Sequence, residues 1–150
     1  MWQTKLQEII DINNRFNERI NNGATDEDIK VFLENIEDND VQNALQSYLS
    51  FLKVVNGLEF NGYIFYGIDQ HLLSYTPKQQ INGFIDNNEV WNDLEWERKY
   101  VFFGDSSISW YVYDIESTKY YELDKPSGDV METYDSLELM LDKVLVEALL

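Results

Sequence analysis

The sequence predicts an α+β fold in which N-terminal helices precede a largely antiparallel, twisted sheet and a C-terminal helix packs on that sheet. Three observations predict this class: the first third is charged and helix-forming, the middle is dense in aromatic and β-branched residues, and the end returns to helical spacing. The 150 residues contain no repeat and no linker-like segment. We therefore expect one domain, 1–150, in which residues 1–40 form a helical N-terminal extension.

The first two helices are predicted from apolar spacing and capping residues. Apolar side chains from Leu6 to Ile20 recur at helical spacing, which predicts a helix over residues 2–21 that stops near Asn22-Gly23. Thr25 is expected to cap the second helix, whose first turn holds three acidic residues. Carboxylates stabilise the positive end of a helix dipole, so this acidic triplet has a structural explanation.

A third helix and a first extended segment follow. The apolar stripe between Val41 and Val55 predicts a helix, and Asn56-Gly57 suits a left-handed C-terminal cap. Residues 60–68 alternate like a strand, with Asn61-Gly62 as either a tight turn or a bulge inside it. Residues 70–99 carry a weaker pattern, in which Trp91, Leu94 and Trp96 anchor either a short helix or an irregular loop.

An antiparallel meander is predicted for the rest of the sheet. Strands are expected at residues 100–103, 108–115 and 120–123 and at Val130-Met131, separated by polar turns at 104–107, 116–119 and 124–129. The closing helix presents an apolar face from Leu137 to Leu149. Asp135 and Glu138 have the spacing of a capping box at its start.

The composition indicates a folded, strongly acidic protein. Hydrophobic residues make up 44% of the chain and aromatic residues 15%, while 28 Asp and Glu against 11 Lys and Arg give a formal charge of −17. Such a field repels phosphate backbones and anionic lipid and attracts basic surfaces. We expect a basic protein partner, no nucleic acid and no membrane. An acidic surface that only keeps the protein soluble explains the charge equally well.

The sequence lacks the usual signals of catalysis. It contains no cysteine, which excludes disulfides, thiolate catalysis and cysteine-based metal sites. It also lacks a phosphate loop, a dinucleotide fingerprint and a zinc-hydrolase motif, and its single histidine, His71, is expected in a surface loop. We therefore expect no enzyme, no cofactor and no metal. The N-terminal stretch has no secretion-signal layout and no segment is long and apolar enough for a membrane span, so a cytoplasmic location is expected.

An aromatic hairpin provides the candidate contact residues. The partner-contacting set comprises Asp105, Trp110, Tyr111, Tyr113, Tyr120 and Tyr121. Alternation places Trp110 and Asp114 on one face and Tyr111 and Tyr113 on the other, so that one face forms core and the other is free to bind. Packing of both faces inside the protein is an equally good interpretation. Asp105 also suits a turn role, since Asp bonds nearby backbone amides.

Three segments in order resemble the SMI1/KNR4 family, also called the SUKH superfamily, and look closest to its bacterial YrhA-like branch. They are residues 48–57, a helix ending in Asn-Gly; residues 100–105, a strand followed by Gly-Asp; and residues 120–128, a strand with its following turn. The resemblance marks five positions as motif residues with structural roles, namely Asn56, Gly57, Gly104, Asp124 and Gly128.

The resemblance implies an α+β domain that is not an enzyme. Many bacterial members look like immunity proteins that bind and neutralise polymorphic toxins, often nucleases, whereas fungal relatives are linked to the regulation of cell-wall synthesis. The expected function is therefore an immunity-type protein that sequesters a toxin. A regulatory scaffold or cell-wall-linked interaction protein is the alternative, and a small-ligand binder or enzyme ranks below both. The oligomeric state is left open.

Overall fold

Six α-helices and six β-strands follow one another in the computed structural model, which describes residues 1–150. The helices are α1 (Trp2–Arg15), α2 (Asp26–Glu34), α3 (Asn39–Leu45), α4 (Leu49–Val54), α5 (Phe84–Asn92) and α6 (Leu137–Leu149). The strands are β1 (Leu58–Phe60), β2 (Tyr63–Phe65), β3 (Tyr100–Asp105), β4 (Ser109–Asp114), β5 (Lys119–Asp124) and β6 (Val130–Tyr134). Short 3₁₀ turns lie at Gln46–Tyr48 and Gln70–Leu72. The predicted α+β class is confirmed.

The six strands form one sheet in the order β1-β2-β3-β4-β5-β6, and every neighbouring pair is antiparallel. Between β1 and β2 the chain turns at Asn61 (φ 50°) and Gly62 (φ 83°). Two positive φ angles in succession make the tight hairpin turn that suits right-twisted strands. Of the two interpretations of Asn61-Gly62, the turn is therefore correct.

One cluster of 32 buried apolar residues connects the helices with the sheet. Tyr48 stacks on Phe51 (ring centroids 5.2 Å apart) and meets Phe103 of β3 at 4.8 Å. Helix α1 packs on α6, and α6 in turn contacts β5 and β6. The segment 1–40, expected as an extension, contributes buried side chains to this same cluster, among them Trp2 and Phe32.

Helix α1 is shorter than the sequence predicted, because it ends at Arg15 rather than near residue 21. Asn17 takes the left-handed conformation (φ 55°), its N–H donates to the carbonyl of Asn14, and the N–H of Glu18 donates to Asn13. This pair of bonds terminates a helix, and Asn tolerates the required backbone better than most residues. The prediction failed since apolar spacing continues past a stop signal carried by one asparagine.

The predicted N-terminal cap is correct for α2 but not for α6. Thr25 accepts from the N–H of Asp28 (3.1 Å), and the Asp28 carboxylate accepts from the N–H of Thr25 (2.9 Å), so the predicted cap of α2 is confirmed as a full capping box. At α6 the prediction was one residue early. Ser136 caps the helix by accepting from the N–H of Leu139, while Asp135 pairs with Lys119 at 2.6 Å.

The helical run between Val41 and Val55 is divided rather than continuous, since the Gln46–Tyr48 turn tightens to 3₁₀ between α3 and α4. This turn carries Tyr48, which is fully buried and donates its hydroxyl to the carbonyl of Tyr66 at 2.6 Å. Gly57 takes the predicted left-handed conformation (φ 84°) but does not cap the helix, because α4 ends at Val54 and its C-cap residue, Val55, is extended.

Candidate functional site

The aromatic hairpin β3–β4 packs on both faces. Trp110 meets Trp91 and Trp96 at 5.5 and 5.3 Å on one face. Tyr111 stacks on Phe65 at 5.8 Å on the other. The alternation predicted for β4 is thus observed, but each face has a cover of its own.

The six predicted contact residues lie in strands β3, β4 and β5; three of them are buried and three are half-buried. Trp110 is 4% exposed, Tyr111 1% and Tyr120 8%, so these three offer almost no surface to a partner in this structure. Tyr113 and Tyr121 are half-buried: Tyr113 packs on Tyr120 at 4.9 Å, and the hydroxyl of Tyr121 bonds that of Ser117 at 2.9 Å. The interpretation in which both faces pack inside the protein describes this geometry, because each ring already has an internal partner.

Asp105 lies in strand β3 and not in the turn where the sequence placed it; the turn spans residues 106–108. Its carboxylate accepts from the hydroxyl of Tyr66 and from Lys125 Nζ (3.1 Å). Burial raises the pKa of Tyr66, and the charge of Asp105 raises it further, so this hydroxyl remains a donor. The Lys125 ammonium also lies 5.1 Å from the centre of the Trp91 ring. Asp105 therefore ties three segments of the chain together.

Two of the five motif positions, Asn56 and Gly57, organise the exit from α4. Asn56 Oδ1 accepts from the N–H of Ile68 at 2.8 Å, and its carbonyl accepts from the side chain of Asn21 at 2.9 Å. A Cβ on Gly57 would lie 2.9 Å from the backbone nitrogen of Gly67. These residues hold the helical layer against the hairpin β1–β2.

The remaining motif positions, Gly104, Asp124 and Gly128, lie at the sheet. Gly104 follows a bulge in β3, and a Cβ there would clash with the carbonyl oxygen of Ile64 in β2. Asp124 and Gly128 shape the β5–β6 turn: the Gly128 N–H donates to the Asp124 carbonyl at 2.8 Å. Because Gly128 also packs against the ring of Trp96, this turn is held next to the segment that follows α5.

Helix α5 carries an exposed acidic surface beside the sheet. Asp86, Glu89, Val90 and Asp93 are spaced three and four residues apart and are all exposed, as is Leu94 after the helix end. We call these five residues the α5 ridge. Segment 86–97 holds five carboxylates and no basic residue. None of these five carboxylates accepts a side-chain hydrogen bond or forms an ion pair within the protein. Val90 and Leu94 lie in the same segment and expose 56% and 47% of their surface.

Two buried polar side chains hold α5 in place. Asp69 is 0% exposed, and its two carboxylate oxygens accept from the N–H groups of Ile85 and Asp86, both at 2.9 Å. Burial raises the pKa of Asp69, although these backbone bonds act in the opposite direction. Asn88 accepts from the N–H of Phe102 (2.8 Å) and donates to its carbonyl (2.9 Å). Its side chain thus takes the place of a neighbouring strand at Phe102, where β2 no longer pairs with β3, and this fixes α5 beside the sheet.

A cavity of about 460 Å³ lies beside the ridge, between the segment after α5 and the β5–β6 turn. We call it the Trp96 cavity, and it is lined by Leu94, Glu95, Trp96, Glu97, Arg98, Tyr100, Pro126, Ser127, Gly128 and Asp129. The Trp96 indole N–H donates to the carbonyl of Trp91 at 2.7 Å, and its ring meets Tyr100 at 5.4 Å. The aromatic wall of the cavity is therefore held by hydrogen bonding and packing.

Arg98 lines the same cavity, yet its charge is directed elsewhere. Its Nε donates to Asp114 at 2.6 Å, and a second nitrogen lies 3.4 Å from Glu116. The hydrogen bond to Asp114 raises the pKa of Arg98. In contrast, the carboxylates of Glu95, Glu97 and Asp129 form no ion pair and accept no side-chain hydrogen bond. The cavity therefore combines aromatic walls with uncompensated negative charge.

Other features bear on the remaining predictions. His71 is exposed in the Gln70–Leu72 turn, as the sequence predicted. No group of three or more His, Cys, Asp or Glu side chains is arranged to hold a metal ion. None of the six helices combines the length and the apolar character that crossing a membrane requires.

The surface around α5 was missed by the sequence interpretation, which left residues 70–99 between a short helix and a loop. A local signal was present: five acidic residues and no basic one in the segment 86–97, with Val90 and Leu94 among them. The sequence instead placed the contact residues on the aromatic strands, because aromatic residues are common both in interfaces and in cores. Burial, which decides between these two roles, depends on contacts with residues far along the chain.

Comparisons with known proteins identify no relative: no family model, no curated protein and no solved structure matches the chain.

Proposed function

We propose that this chain is a non-enzymatic protein-binding domain that captures a basic protein partner on the α5 ridge. The observation that carries this proposal is the set of unpaired carboxylates of segment 86–97 around two exposed apolar side chains, Val90 and Leu94. Protein interfaces combine an apolar centre with a charged rim that matches the partner. An acidic rim around Val90 and Leu94 matches a surface rich in Lys and Arg.

The partner we propose is a toxin, and the function is that of an immunity-type protein. This part rests on the resemblance of residues 48–57, 100–105 and 120–128 to the SMI1/KNR4 family. A nuclease toxin needs a basic face for its substrate, and a protein of charge −17 that covers this face blocks it. A regulatory scaffold would use the same ridge without a linked toxin, so the identity of the partner separates the two.

Charge and apolar contact act at different stages of this binding. The overall field of −17 accelerates the encounter with a basic protein, and this acceleration falls as salt screens the charges. Desolvation of Val90 and Leu94 slows dissociation once the surfaces meet. The helix is positioned by Asp69 and Asn88 before the partner arrives, which lowers the ordering cost of binding.

The test uses the protein encoded beside the gene for this chain, because immunity proteins and their toxins are expected to be encoded together. We expect the two to copurify and the association rate to fall steeply with ionic strength. The triple variant Asp86→Asn, Glu89→Gln and Asp93→Asn should lower the association rate about tenfold.

The matched control removes three exposed, unpaired carboxylates elsewhere, with Glu8→Gln, Glu18→Gln and Glu138→Gln. It changes the net charge by the same amount but leaves the α5 ridge intact, and we therefore expect a smaller decrease in the association rate. Equal decreases for both triple variants would show that the ridge is not the interface. An association rate insensitive to ionic strength would refute the electrostatic part of the proposal.

A further inference from the structure

We propose that the Trp96 cavity receives an arginine side chain of the basic partner. This inference rests on the proposed function, because it assigns one contact within the same acidic surface. The cavity shares Leu94 with the α5 ridge, so a partner that binds the ridge lies next to the cavity.

The size and walls of the cavity suit a long side chain with a flat end. Its volume of about 460 Å³ lies within the range of pockets that enclose a ligand group. Trp96, Tyr100 and Pro126 provide flat, weakly polar walls. The methylene stem of a long basic side chain packs on such walls while its head remains available for polar contacts.

The charge of the cavity selects a cation. Glu95, Glu97 and Asp129 line it without an ion pair or a side-chain hydrogen bond of their own. The single basic group present, Arg98, is engaged by Asp114 at 2.6 Å and by Glu116 at 3.4 Å, outside the cavity lining. Three carboxylates and one guanidinium that is already paired leave a negative potential in the cavity. This potential disfavours the binding of an anion and favours the binding of a cation.

The chemistry of the walls favours arginine over lysine. A guanidinium is planar, stacks on aromatic faces and donates in pairs to carboxylates, whereas an ammonium is a compact and strongly hydrated charge. The half-buried Trp96 ring supplies a face, backed by the buried ring of Tyr100, and Glu95, Glu97 and Asp129 supply acceptors. A flat cation with several hydrogen-bond donors therefore binds more tightly here than a compact one.

The cavity is formed before any ligand arrives. Trp96 is held by its bond to the Trp91 carbonyl (2.7 Å) and by rings at 5.3 Å (Trp110) and 5.4 Å (Tyr100). Gly128 also packs against the Trp96 ring, so closely that a Cβ would lie 2.8 Å from it. A rigid wall needs no rearrangement to receive a side chain, so little binding free energy is lost to ordering.

The experiment uses two probes of equal charge, a nona-arginine and a nona-lysine peptide, titrated into the full chain by calorimetry and by NMR of the tryptophan indole N–H signals. We expect the arginine peptide to bind more tightly and to shift the Trp96 signal. The variant Glu95→Gln, Glu97→Gln and Asp129→Asn should weaken the arginine peptide about tenfold and abolish the preference for arginine over lysine.

Two matched variants separate this contact from general attraction. The ridge variant (Asp86→Asn, Glu89→Gln, Asp93→Asn) and the distant variant (Glu8→Gln, Glu18→Gln, Glu138→Gln) remove the same charge but leave the cavity unchanged. Both should weaken the two peptides alike and keep the preference for arginine.

Three results would overturn the inference: no binding of nona-arginine to the wild-type chain, an unshifted Trp96 signal on binding, or an arginine preference that survives in the cavity variant. The proposed function fails on different grounds, namely equal effects of the ridge and distant variants on association with the neighbouring gene product. The two failures are therefore distinguishable.

Discussion

Replacing Asp69 by alanine should loosen α5 and, with it, the proposed binding surface. Asp69 is fully buried after β2 and caps α5 from outside the helix, through bonds of 2.9 Å to the N–H groups of Ile85 and Asp86. The helix has no cap of its own, because its N-cap residue is Gly83. A single side chain distant in sequence therefore satisfies the first turn of α5.

The magnitude follows from the two bonds and from the burial of the charge. Hydrogen bonds to a charged group contribute about 1.5–3 kcal/mol each. Two of them give about 3–6 kcal/mol, and removal of a buried carboxylate recovers part of this, since burial raises the pKa of Asp69. We expect Asp69→Ala to lower the free energy of unfolding by about 3 kcal/mol. Asp69→Asn, which keeps one acceptor, should cost about half as much.

The assay is urea unfolding monitored by tryptophan fluorescence, together with hydrogen exchange of the α5 amides. Asp86→Asn is the control, because this neighbouring carboxylate is exposed and its charge acts weakly on the start of the helix; we expect a change below about 0.5 kcal/mol. If Asp69→Ala and Asp86→Asn destabilise the protein equally, or if α5 exchanges no faster in Asp69→Ala, the assignment of Asp69 as the external cap is wrong.

Three further predictions test other supports of the fold by the same unfolding assay. Gly57→Ala should cost about 2 kcal/mol, because its φ of 84° and the nearby Gly67 nitrogen both disfavour a Cβ; an effect near zero would contradict this. Asn88→Ala should cost about 2 kcal/mol by leaving the Phe102 N–H and carbonyl unpaired, and Asn88→Asp should cost at least as much, because its second carboxylate oxygen would face the carbonyl oxygens of Phe84 and Phe102. Burial opposes the ionisation of Asp114, but the hydrogen bonds that it accepts from Arg98 and other donors lower its pKa below the ordinary value. Its contribution to stability is therefore present above about pH 4 and is lost as the pH falls through the lowered pKa. The difference in the free energy of unfolding between wild type and Asp114→Asn should narrow over that range, and a difference independent of pH would refute the assignment.

Local signals in the sequence predicted much of the fold. The capping box at Thr25 and Asp28, the left-handed Gly57 and the meander of strands after residue 100 all depend on residues close together in the chain. Errors occurred where one residue outweighed a longer pattern. Asn17 ended α1 six residues before its predicted end, and Ser136 rather than Asp135 capped α6.

The candidate site was far less accessible to sequence interpretation. Alternation along β4 correctly separated Trp110 from Tyr111, but it left open whether either face was free. The structure covers Trp110 with Trp91 and Trp96, both from the segment of weakest pattern, and covers Tyr111 with Phe65. The surface that we propose for partner binding therefore lies on α5, outside the strands that carry the predicted contact residues.

The sequence by itself determined the α+β class, the antiparallel meander and the acidic character of the protein, because these follow from periodicity, turn chemistry and composition. Only the tertiary structure decided where α5 lies and which carboxylates remain unpaired. Asp69 and Asn88 hold that helix through bonds to residues 14 to 17 positions away, and Gly128 meets Trp96 across 32 positions. Contacts of this range depend on the folded chain as a whole, so no local pattern encodes the surface that they expose.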